Sequence, residues 1–100
     1  MPYERTIEIA VSDLVTVRFS QSGRPIERYS VVLLTLDDDG WRTVRVYDNH
    51  LGPHHMHRYT RSGGKQEPEA FHAGTTNEAI PAAIAHLKAH WEAIIKSWNV

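Results

Sequence analysis

The chain contains no cysteine, which excludes a disulfide framework, a thiolate zinc site and a cysteine nucleophile, and leaves packing to hold the fold. No apolar run approaches the roughly 20 residues that a membrane-spanning helix needs. Nor is Met1-Pro2-Tyr3-Glu4-Arg5 followed by the apolar stretch of a secretion signal, so the expected setting is the cytoplasm, with no membrane partner. A strong excess of one charge is also missing: the formal net charge is −1. What is present, 41% apolar and 23% charged residues, is the balance of an ordinary soluble protein. One hundred residues suit a single domain spanning 1–100.

The near-neutral total hides an uneven distribution. Residues 41–65 carry Arg42, Arg45, Arg58, Arg61 and Lys65 against Asp48 alone, whereas the segments on either side are acidic. The same stretch holds His50, His54, His55 and His57, four of the seven histidines. Histidine titrates nearest neutrality and is the commonest metal ligand, so this clustering points to proton transfer, phosphate chemistry or a metal. Arginines on the solvent face of a hairpin are the plainer explanation of the charge.

Periodicity divides the chain into a β-rich front and a helical end. Thr6–Ala10 and Leu14–Phe19 alternate, as one bent strand or two short ones, before a turn at Ser22-Gly23-Arg24-Pro25. Tyr29–Leu36, with Val31 to Leu34 apolar on both faces, reads as a central strand. Asp37-Asp38-Asp39-Gly40 makes a tight hairpin into Trp41–Tyr47, with Val44 and Val46 on one face and Thr43, Arg45 and Tyr47 on the other. After a turn around Asn49–Pro53, His54–Thr60 alternates again. That alternation puts His55, His57, Tyr59 and Arg61 on one face and His54, Met56 and Arg58 on the other. Arg61–Gly74 reads as a long loop anchored by Phe71.

Thr75-Thr76-Asn77-Glu78 offers a capping box for a helix running to about Trp98. Ile80, Ile84, Leu87, Trp91, Ile94, Ile95 and Trp98 recur at three- and four-residue spacing as a core stripe. Pro81 implies either a first turn near Ala79 or a kink. His86 and His90 share one side of the helix beside Ala79 and Ala83; without a glutamate after His86 they are not a metalloprotease pair. The expected fold is thus α+β: a curved antiparallel sheet of four to five strands with one long C-terminal helix packed on one face. The other apolar sheet face calls for a cover, a homodimer mate or another protein.

Three functional readings fit the histidine segment. His55 and His57 can act as general base and acid on an RNA phosphodiester without a metal or other cofactor, with Arg45, Arg58, Tyr59 and Arg61 holding the substrate. Alternatively His55-x-His57, with His50, Asp48 or Glu67, binds a transition metal; a cupin, which opens with such a pair, needs an acid shortly after, and Tyr59 to Gly63 has none. In the third reading the histidines are structural, within a noncatalytic dimeric interaction module.

Arg45-Val46-Tyr47-Asp48-Asn49, then a glycine, a proline and His54-His55-Met56-His57, resembles the short TumE-like toxins of bacterial toxin-antitoxin pairs over about Trp41–Tyr59. The resemblance implies a toxin that acts on RNA, with an antitoxin protein as partner, and marks Tyr47, Asp48, His55 and His57 as the matching catalytic positions. Several histidines of the richer family pattern are absent here.

Overall fold

The computed structural model describes residues 3–50 and 54–99. Eight elements follow one another: β1 (Glu4–Ser12), β2 (Val15–Ser22), β3 (Arg28–Asp37), β4 (Gly40–Asp48), β5 (His55–Thr60), β6 (Gly64–Lys65), β7 (Glu69–Ala70) and α1 (Thr76–Trp98). The strands form one antiparallel sheet in the order β1-β2-β3-β4-β5-β6, with β7 also on β5, so each long strand lies beside its sequence neighbour. Seven strands replace the four to five expected. The front alternation resolves into a two-strand hairpin, and the Arg61–Gly74 loop contributes β6 and β7, which pair with opposite ends of β5. The expected turn around Asn49–Pro53 lies partly outside the described residues.

Hairpin chemistry sets the register. Gly40, at φ 105°, closes the two-residue turn between β3 and β4, while the Asp37 carboxylate accepts from the Asp39 N–H at 2.8 Å. Between Leu33↔Arg45 and Leu34↔Thr43 the register shifts, which makes Val44 the extra residue of a β-bulge. Consecutive Val44 and Arg45 are consequently both buried, where strict alternation had placed them on opposite faces.

Helix α1 begins at Thr76, with Thr75 as N-cap in a complete capping box: the Glu78 N–H donates to Thr75 Oγ1 and the Glu78 carboxylate receives from Thr75. Those bonds hold the Glu78 carboxyl below its ordinary range. The late start near Ala79 does not occur. Pro81 stands inside the helix, where it removes the N–H that would bond the Asn77 carbonyl. Ile80, Leu87, Ile94 and Trp98 are buried with Ala79 and Ala83 against Val17, Val31, Leu33, Val44, Tyr47 and Met56, forming the core. The helix covers that one sheet face. The ladders Ser30↔Asp48↔His55 and Val32↔Val46↔His57 belong to the other.

Candidate functional site

The site expected from sequence divides between the two faces of the sheet. On the face away from α1, Asp48 and His55 are direct cross-strand partners and His57 follows two residues along β5. His57 is only 2% exposed and its Nε2 lies 3.7 Å from Asp48 Oδ1, longer than hydrogen-bond distance. Asp48 Oδ1, His55 Nδ1 and His57 Nδ1 are buried without a hydrogen-bond partner among the described residues. Among the described residues no three histidine, aspartate or glutamate side chains converge as a metal-binding group.

On the helix face the Tyr47-Asp48-Asn49 motif contributes differently. Asn49 accepts from the Tyr29 N–H at 3.0 Å and donates to the Glu27 carbonyl at 3.0 Å, tying the end of β4 to the start of β3. Nearby, His54 Nε2 is 3.0 Å from the Gly74 carbonyl and Nδ1 is 2.6 Å from the Tyr29 hydroxyl. A carbonyl only accepts, so Nε2 carries the proton, and Nδ1 receives from the Tyr29 O–H. Burial, and then the Asp48 charge, push the Tyr29 hydroxyl up to about 12. His54 is therefore a structural linker of β3, β5 and the segment before α1.

Between the sheet and α1 lies a cleft of about 360 Å³, within the roughly 300–1,000 Å³ range of small-ligand sites. Arg45 and Tyr47 of β4 and Met56 and Arg58 of β5 supply its sheet side. Ala82, Ala83 and His86 supply the helix side, where the two alanines leave the space open, and Phe71 meets the Tyr47 ring edge-on at 4.8 Å. Arg45 is 7% exposed. Among the described residues its Nε is buried without a partner, and NH1 donates to the Tyr47 hydroxyl at 3.5 Å. Arg45 shares the helix face with Tyr47 by ordinary strand alternation, since Leu33↔Arg45 and Val31↔Tyr47 are regular pairs. Arg58 also lines the cleft but donates to the Glu69 carboxylate at 2.7 Å, both groups about half exposed. His86 sits 6.5 Å from the Tyr47 ring and 4.7 Å from the His90 ring. Desolvation, then the charges of His90, Arg45 and Arg58, hold its pKa below the ordinary histidine value.

Of the expected site residues, Arg45, Tyr47 and Arg58 meet in this cleft, while Asp48, His55 and His57 stand on the opposite face. Tyr59 packs against the core and lines a smaller cavity beside Trp98. Arg61, beyond the end of β5, does not share the histidines' face. Its guanidinium lies 4.5 Å above the Trp98 ring and donates to Asn99 at 2.7 Å and Asp37 at 3.0 Å, which fixes the end of α1. His86 and Phe71 were not expected in the site; the signal for His86 was its place beside Ala83 on the helix.

Residues 2–99 match the family described as Domain of unknown function (DUF7718), and the chain belongs to that family. Neither a curated protein nor a solved structure matches it.

Proposed function

We propose that this protein binds a phosphate-bearing ligand in the cleft between β4, β5 and α1, and that the ligand is RNA, in the setting of a toxin of a toxin-antitoxin pair. The observation that carries the reading is Arg45. A guanidinium stays charged at any physiological pH, and a buried charge without a counter-ion costs several kcal/mol after relaxation. Arg45 is such a charge: nine-tenths buried, with no carboxylate paired to it among the described residues and Nε unpartnered. A phosphate removes that cost by accepting from the guanidinium in fork geometry. Arg58 adds a second guanidinium, and Phe71 an aromatic surface against which a base can stack.

Binding is the core of the proposal. Endonucleolytic cleavage by His55 and His57, its finer form, requires RNA to reach the other sheet face, where His57 is 2% exposed. The two levels separate in one experiment. A fluorescent single-stranded RNA should bind with an affinity that falls as salt rises, at a slope of about −0.7 per phosphate contacted. Arg45→Met should weaken binding by about tenfold or more, since it removes a charge-assisted pair. RNA that binds Arg45→Met as well as the parent would overturn the reading. Cleavage that persists in a strong chelator, leaves a cyclic phosphate and is lost in His55→Ala and His57→Ala would add the nuclease step.

A further inference from the structure

We infer that the cleft takes a terminal phosphate, a phosphomonoester at the end of a nucleic-acid chain, held jointly by Arg45, Arg58 and His86; this rests on the phosphate-binding reading above. The charges and donors of the cleft match a phosphomonoester better than a diester. An internal phosphodiester carries one negative charge and two free oxygens. A phosphomonoester carries close to two charges near neutrality, because its second pKa is about 6, and presents three oxygens. A diester would be neutralised by Arg45 alone. It would leave His86 and Arg58 facing the same space without use.

The remaining groups fit the second charge. Arg58 is partly offset by Glu69 of β7, at 2.7 Å, so its guanidinium does not supply a full free charge. His86 supplies it once protonated. The groups facing His86 are Arg45 and Tyr47 from β4, Arg58 from β5 and His90 from its own helix. The loss of water, and then the nearby cations, favour the neutral ring. A dianion placed among Arg45, Arg58 and His86 reverses the sign of the local field. Binding therefore draws a proton onto His86, and affinity for the terminal phosphate rises as pH falls through the histidine range. Phosphate itself begins to take up its second proton near the same pH, so the gain peaks close to neutrality rather than growing without limit.

The test uses short RNA oligonucleotides with 2′-O-methyl groups, so that no cleavage intervenes, carrying a 5′-phosphate, a 3′-phosphate or hydroxyls at both ends. Anisotropy competition is read from about pH 6 to about pH 8, spanning the histidine range. One of the two phosphorylated ends should bind about tenfold tighter than the hydroxyl-ended chain near neutral pH, and the arm that does so identifies the end recognised. The advantage should shrink towards the alkaline limit. His86→Gln, an exposed helical position whose replacement does not touch the core, should cut the ratio between phosphorylated and hydroxyl-ended chains and flatten its pH dependence. Equal binding of all three chains, still dependent on Arg45, would overturn the terminal-phosphate inference and leave RNA binding standing. Binding indifferent to Arg45→Met would instead overturn the reading on which it rests.

Discussion

Replacing Arg45 by methionine should stabilise the empty protein while destroying the site. The side chain is 7% exposed, its Nε has no partner among the described residues, and its hydrogen bond to the Tyr47 hydroxyl is at the 3.5 Å limit. Exchange of buried charges for apolar side chains of similar volume is neutral or stabilising by about 1–4 kcal/mol in other proteins. Only Nε is fully enclosed without a partner, and the rest of the guanidinium borders a 360 Å³ cleft that water can hydrate, which favours the lower end, about 1–2 kcal/mol. For a chain of 100 residues each kcal/mol moves the melting temperature by about 4–8 °C. Urea denaturation followed by tryptophan fluorescence reads the change directly, and an unchanged slope would show that the unfolded state is not involved. A gain of stability coupled to lost RNA binding is the signature of a residue kept for its ligand. A loss of about 1 kcal/mol or more would show that the folded protein already compensates Arg45, and the functional argument from it would fall.

Other perturbations test the frame around the cleft. Tyr29→Phe leaves the buried His54 Nδ1 without its 2.6 Å donor and should cost about 1–3 kcal/mol in urea melts, whereas no loss would remove His54 from its linking role. Thr75→Ala should cost roughly 1 kcal/mol by removing the helix cap, and Thr75→Ser should restore most of it. Asp37 receives the Asp39 N–H, and with the Arg42 and Arg61 charges this holds its carboxyl below the ordinary aspartate value. A lowered folded pKa means that its contribution is complete above the unfolded value, about 3.9, and is lost as pH falls through the folded one. The stability gap between the parent and Asp37→Asn should accordingly be constant near neutrality and close in acid; a gap that widens in acid would contradict this sign.

Much of the fold was legible because long periodic segments constrain themselves. The hairpin at Asp37–Gly40, the inner strand β3 and the stripe from Ile80 to Trp98 all rest on several residues repeating one period. β6 and β7 have two residues each, too few to show a period, and pair only because β5 offers a free edge. Of the two readings Pro81 allowed, the late helix start fails because the capping box fixes the start more strongly than one missing N–H disfavours it. At the site, alternation separated His55 and His57 from Arg58 correctly, but depth is a tertiary property: nothing local says that His57 is 2% exposed. The bulge at Val44 was equally invisible, since it arises from the pairing of β3 with β4. The contribution of His86 depended on a contact between elements about 40 residues apart in the chain, which no spacing rule reports.

The most direct measurement is an NMR titration of the protein, labelled with nitrogen-15, with 5′- and 3′-phosphorylated 2′-O-methyl RNA. Phosphate binding in the cleft should move the Arg45 Nε–H resonance and protect it from exchange, with shifts at Tyr47, Ala82, Ala83 and His86, while the resonances of His55 and His57 stay in place. Shifts centred on Asp48, His55 and His57 with Arg45 unmoved would put the ligand on the other face of the sheet and contradict it.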